Sequence, residues 1–202
     1  MTDRQVATFN RCMAVGGVAL FPSDTVYGLA TEPESKEGVE RLYELKGRPP
    51  ERPAAVMFFR LELALAALTE LADETRAALE RVLPGPLTVL LPNPERRFPL
   101  ACGPEPERLG LRVPALAGGL EPFRGVLWPV LQSSANRSGE TEARRLADVP
   151  ADIRRRVDLQ LDGGELPGTP STVVDLTKYE ASGEFVIVRE GALPAAQLRS
   201  LL

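Results

Sequence analysis

The chain has 202 residues, 44% of them apolar and 26% charged, with 24 Lys and Arg against 28 Asp and Glu and a formal net charge of −4. That size and apolar content suit one globular domain over residues 1–202, and the acidic balance argues against coating nucleic acid by bulk positive charge. The chain contains no histidine, which removes the usual general base, the Ser-His and Cys-His nucleophile systems and most catalytic zinc sites.

In chain order, Val6, Phe9 and Met13 recur at helical spacing, so a helix is expected over Asp3–Val15, closed by Gly16-Gly17. A short buried strand follows over Val18–Phe21. Just past it, Ser23, Thr25 and Tyr27 in Pro22-Ser23-Asp24-Thr25-Val26-Tyr27-Gly28-Leu29 offer hydroxyl donors and acceptors. Ser35 suits the cap of a second helix, whose stripe is Val39, Leu42 and Tyr43 and whose stop is Gly47 before Pro49. Lys46 and Arg48 flank that helix end. With Arg52 they supply positive charge suited to phosphate or carboxylate.

A strand is expected over Ala54–Phe59, then helices over Leu61–Leu71 and Asp73–Leu83. Pro84-Gly85-Pro86 forces a turn before the strand Leu87–Leu91, and Leu109–Val113 and Val126–Gln132 read as two more. Between them, Asn93–Arg108 is rich in proline and charge and reads as a surface excursion with no core of its own. A helix near Asp148–Arg156, strands near Val157–Leu161, Thr172–Leu176 and Phe185–Arg189, and a helix from Pro194 complete the pattern. Helices alternating with short apolar strands mean an α/β fold.

Several polar groups stand where strands end, the usual place for ligand contacts in open α/β sheets. Ser133-Ser134-Ala135-Asn136-Arg137-Ser138-Gly139 follows one apolar strand, Ser171 and Thr172 enter another, and Arg112 and Arg189 each close one. Taken singly, each has a plainer reading as turn chemistry or as a solvated or ion-paired strand end. Cys12 and Cys102 form no C-x-x-C pattern and read as structural. The remaining kit of carboxylates, cations, hydroxyls and amides suits phosphoryl or nucleotidyl transfer, where positioning and charge neutralisation carry most of the catalysis. No apolar run approaches the roughly 20 residues needed to span a bilayer, and the N-terminus lacks a signal-peptide pattern, so a cytoplasmic protein without membrane contact is expected.

Together these motifs resemble the YrdC/TsaC family of threonylcarbamoyl-AMP synthases. The family's P-T-[D/E]-T-x-Y-G-L, K-x-R, G-P-x-T, V-R-x-P, S-A-N-x-S-G, S-T-v-v-D and R-x-G appear as Pro22–Leu29, Lys46–Arg48, Gly85–Thr88, Arg112 with Val113 and Pro114, Ser134–Gly139, Ser171–Asp175 and Arg189–Gly191. Ser23 replaces the usual threonine, and Met57 stands where many members place a histidine near the substrate amino acid. The resemblance, from Gly16 to Gly191, implies a YrdC-like twisted mixed sheet flanked by helices around a deep, positively lined cavity. It also implies a nucleotidyltransferase that joins L-threonine, bicarbonate and ATP into threonylcarbamoyl-AMP and releases pyrophosphate. The product would serve tRNA N6-threonylcarbamoyladenosine modification through separate transfer proteins. Mg2+ would arrive with ATP, with no metal site of the protein's own. By position, Thr25, Arg112 and Ser171 correspond to threonine contacts, and Lys46, Arg48, Arg52, Ser134, Asn136 and Arg189 to nucleotide contacts, Lys46 and Arg48 being the catalytic pair. A YciO-like paralogue and an RNA-binding, translation-associated module making direct RNA contact are the alternatives that the same cavity suits.

Overall fold

A computed structural model describes residues 1–49 and 51–202. Its first helix, α1 (Asp3–Ala14), starts in a capping box in which Thr2 and Gln5 satisfy each other's backbone N–H groups, and it buries Val6, Phe9 and Met13 along one stripe. The strands are β1 (Ala19–Pro22), β2 (Tyr27–Thr31), β3 (Ala55–Met57), β4 (Leu87–Pro92), β5 (Arg108–Arg112), β6 (Val130–Ser134), β7 (Leu159–Gln160), β8 (Thr172–Asp175) and β9 (Val186–Arg189). All join one mixed sheet in the order β7-β1-β2-β6-β3-β5-β4-β8-β9. The other helices are α2 (Lys36–Lys46), α3 (Leu61–Ala67), α4 (Asp73–Val82), α5 (Pro99–Cys102), α6 (Ala151–Arg156), α7 (Tyr179–Ser182) and α8 (Ala195–Leu201).

Because strand side chains alternate between faces, the central strands sort their residues into two layers. Val56 of β3, Leu109 and Leu111 of β5 and Leu131 of β6 enter the larger core, together with Leu42 of α2, Leu79 of α4 and Leu198 of α8. Met57 and Val130 enter a second cluster on the opposite face, beside Phe9, Phe21, Phe59 and Phe123. In that cluster Phe59 and Phe123 stack at 5.5 Å while Phe9 meets Phe123 edge to face at 5.4 Å, the offset and T-shaped geometries that aromatic quadrupoles favour. The aromatic cluster covers this face only in part. Beyond it, Ala55, Gly110, Arg112 and Gln132 line an open concavity.

The sequence pattern missed β2, which pairs antiparallel with both β1 and β6. All five of its residues are buried, so it shows no alternation to read. The strand expected over Val126–Gln132 begins only at Val130: Val126 closes a 3-10 turn, Leu127 and Trp128 are exposed, and Pro129 has no N–H to give a ladder. The helix expected to Leu71 stops at Ala67, and the strand near Val157–Leu161 shortens to two residues. The expectation of a coreless excursion over Asn93–Arg108 is also corrected. Asn93 is 1% exposed, its amide nitrogen donates to the carbonyls of Arg97 (3.0 Å) and Pro106 (2.8 Å), and Ala101 and Cys102 of α5 are buried beneath it. Here the bonds of one side chain add to backbone bonds such as that from the Asn93 N–H to the Glu107 carbonyl (2.8 Å).

Candidate functional site

The turn between β1 and β2 is built by a serine. Ser23 Oγ donates to the Val26 carbonyl (2.7 Å) and accepts from the Thr25 and Val26 N–H groups (3.3 Å each), while lying 3.0 Å from Thr25 Oγ1. These bonds need only the hydroxyl that serine and threonine share. The turn presents Asp24 and Thr25 to Arg112 at the end of β5. Arg112 Nη2 donates to Asp24 Oδ1 (2.8 Å) and Thr25 Oγ1 (3.2 Å), and Nη1 donates to Gln132 Oε1 (3.4 Å). Asp24 Oδ2 accepts from the Ala115 N–H at 3.0 Å. The Arg112 and Asp24 side chains are only 4% and 6% exposed. Burial lowers the guanidinium from its ordinary value and raises the carboxyl from its own, each charge opposing the shift of the other. Arg112 Nε is buried and has no partner among the described residues.

A second set of contacts joins the end of α2 to the loop after β6. Gly47, left-handed at φ 56°, ends the helix, so the buried Lys46 side chain turns inward at its last position. Lys46 Nζ donates to the Ser134 carbonyl, to the Asn136 carbonyl (2.8 Å) and to Asn136 Oδ1 (3.2 Å). The Lys46 carbonyl in turn accepts from the Ser138 N–H at 2.9 Å. Burial, reinforced by the nearby Arg48 charge, brings the ammonium down to about 8. Lys46 thus stands behind the cavity wall and shapes the loop that carries Ser134. Arg48 reaches the cavity itself, its guanidinium 5.7 Å from the Tyr43 ring centroid and donating to the Arg52 and Pro53 carbonyls.

The cavity encloses about 240 Å³ on the uncovered sheet face. Arg48, Arg108, Arg112 and Arg189 line it, with the hydroxyls of Thr88, Ser133, Ser134 and Ser171, and Glu142 is the one carboxylate among its described lining residues. Arg108 is spent on Glu105 and Asp175 and Arg112 on Asp24, whereas Arg48 and Arg189 have no carboxylate partner among the described residues. Arg189 Nη2 donates to the Ser171 carbonyl at 2.6 Å, and Ser171 Oγ lies 2.8 Å from Thr88 Oγ1. A surplus of guanidinium charge beside a row of hydroxyls can hold a polyanion and orient small polar groups.

Of the residues singled out from sequence, Arg48, Arg112, Ser134, Ser171 and Arg189 line the cavity; Thr25, Lys46 and Asn136 form the buried layer behind it. Arg52 is exposed and outside the lining, contributing its carbonyl to Arg48 and to the Tyr43 hydroxyl (2.9 Å). Met57 is fully buried in the aromatic cluster and likewise outside the lining. Sequence reasoning gave no role to Asp24, Thr88, Arg108, Gln132 or Glu142. Gln132 had a signal: it is the first polar residue in the run Val130-Leu131-Gln132, at a register position that alternation assigns to the face opposite Leu131. Among the described residues no group of three His, Cys, Asp or Glu side chains could hold a metal ion, and no helix is long and apolar enough to cross a membrane.

Residues 11–191 match the Sua5/YciO/YrdC family, described as telomere recombination. The chain is 37% identical over 187 residues to a threonylcarbamoyl-AMP synthase of Chromohalobacter salexigens, covering 89% of this chain and 96% of the relative. It is 30% identical over 188 residues to the threonylcarbamoyl-AMP synthase of Pyrococcus abyssi, covering 93% of this chain. The chain spans little more than half the length of the relatives from Pyrococcus abyssi and Bacillus subtilis, at 54% and 57%. Among solved structures, P. abyssi Sua5 complexed with L-threonine superposes with a TM-score of 0.86 at 27% identity, over 100% of this chain and 58% of that one. E. coli YciO superposes with a TM-score of 0.77 at 25% identity, over 95% and 91%.

Proposed function

The chain belongs to the Sua5/YciO/YrdC family, and from that premise we propose that it is a threonylcarbamoyl-AMP synthase using L-threonine, bicarbonate and ATP. The observation that carries this reading is the division of labour among the cavity arginines. Arg48 and Arg189, without a carboxylate partner among the described residues, suit a triphosphate; Arg112, held by Asp24 and Thr25, suits one fixed carboxylate. In the proposed reaction the threonine amine attacks the bicarbonate carbon and water leaves, giving a carbamate. A carbamate oxygen then attacks the α-phosphorus, and pyrophosphate departs as threonylcarbamoyl-AMP forms.

The residues would act mainly by alignment and electrostatics. Arg48 and Arg189 would neutralise the triphosphate, Ser134 would orient it, and Lys46 and Asn136 would hold the Ser134 loop in place. Thr25, Arg112 and Ser171 would hold the amino acid. Mg2+, which keeps several waters and binds through phosphate oxygens, would enter with ATP and offset phosphate charge, with Glu142 the carboxylate at hand in the wall. The adenylate would pass to separate proteins that transfer it to tRNA. Pyrophosphate release from ATP and bicarbonate, measured with and without L-threonine, tests the reading: release that depends on threonine is expected, and release indifferent to threonine would refute it.

A further inference from the structure

Gln132 occupies the centre of the cavity face. On β6 it lies opposite Ala30 of β2 and Ala55 of β3, two small neighbours that leave its longer side chain room. Gly28 leaves room as well: a Cβ there would come within 2.9 Å of Gln132 Nε2. Gln132 is 4% exposed and lines the cavity. Its Oε1 accepts from Arg112 Nη1 at 3.4 Å, which fixes the amide orientation, because only the oxygen can face a guanidinium donor. The Nε2 group makes no hydrogen bond to any described residue.

Gln132 Nε2 is therefore a donor in the cavity wall without a protein acceptor among the described residues, oriented by the bond of its Oε1 to Arg112. A donor held in this way in a largely buried wall points to an acceptor supplied by a ligand. An amide N–H donates and cannot accept, which selects an oxygen and disfavours an ammonium. We propose that Gln132 is a substrate-contacting residue, donating its side-chain N–H to an oxygen of the amino-acid substrate beside Arg112. The inference rests on the synthase reading and deepens it: Gln132 sets amino-acid affinity and leaves nucleotide affinity alone.

Two variants test the contact. Gln132→Glu keeps an oxygen for Arg112 and removes the donor, whereas Gln132→Met removes both. A lost hydrogen bond to an ionised or strongly polar oxygen raises the L-threonine KM of both variants about tenfold or more, with the ATP KM within about twofold of wild type. An unchanged threonine KM in Gln132→Glu overturns the proposal. Because the new carboxylate can itself pair with Arg112, contact is told from positioning by adding Gln132→Met to an Arg112→Met background, where a role exerted only through Arg112 leaves the threonine KM of that background unchanged and so also overturns it. Should the Met variant fail to bind ATP, the Glu variant alone decides. Wild-type protein without threonine-dependent turnover removes the synthase reading and this inference with it; turnover in the wild type with an unchanged threonine KM in Gln132→Glu removes this inference alone.

Discussion

Replacing Asp24 with alanine strikes the most heavily buried ion pair among the described residues. Asp24 accepts from Arg112 Nη2 at 2.8 Å and from the Ala115 N–H at 3.0 Å. Without it, a guanidinium only 4% exposed keeps just the neutral acceptors Thr25 Oγ1 and Gln132 Oε1. Breaking a buried pair by removing one partner costs about 3–5 kcal/mol, because the remaining charge stays desolvated. The two neutral acceptors place Asp24→Ala at the lower end, about 3 kcal/mol, and the exposed Ala115 N–H adds little because water replaces its acceptor. Guanidinium chloride unfolding with an unchanged m-value measures the loss. The same reasoning requires that Asp24→Ala/Arg112→Met be more stable than the sum of the single changes, since deleting both charges removes the stranded one. A single-variant loss below about 1 kcal/mol, or strict additivity in the cycle, would refute it.

Lys46 titrates near 8 in the folded chain against an ordinary 10.5, so between those values the unfolded chain binds more protons, and the Lys46 contribution to stability rises with pH by at most about 3 kcal/mol. Unfolding midpoints followed from pH 7.5 to 10.5 are expected to carry this rise in the wild type and to lack it in Lys46→Met. A Cβ at Gly191 would sit 2.3 Å from the Pro170 carbonyl oxygen and 2.7 Å from the Ser171 backbone, so Gly191→Ala must displace Ser171 and with it Arg189. ATP affinity, measured by calorimetry, is expected to fall about tenfold or more. Phe123 is fully buried against Phe9, Phe21 and Phe59, so Phe123→Ala should cost about 3–5 kcal/mol in denaturant unfolding.

Much of this architecture is legible where a segment has one wet face. Helix α2 shows its stripe, cap and glycine stop in sequence, and α1 its stripe and glycine stop, because each divides solvent from core. Strand β2 does not, since burial on both faces erases the alternation that marks a strand. The loop around Asn93 stays hidden for a different reason: its order comes in part from bonds made by one side chain to carbonyls four and thirteen residues away. At the site, motif order marks Arg48, Arg112, Ser134, Ser171 and Arg189, all of which line one cavity. Sequence carries the charge of Lys46 but not its depth, which depends on the Ser134 and Asn136 carbonyls meeting the end of α2. Gln132 and Asp24 are brought to the site by their bonds to Arg112, across 20 and 88 residues of chain, which no local pattern shows.

Incubating the protein with ATP, L-threonine and isotopically labelled bicarbonate, then resolving the products by mass spectrometry, follows every atom of the proposed reaction. The account predicts an adenylate whose mass includes threonine and the labelled carbon, formed together with pyrophosphate and absent when threonine is withheld. Hydrolysis of ATP to products free of both threonine and label would contradict it.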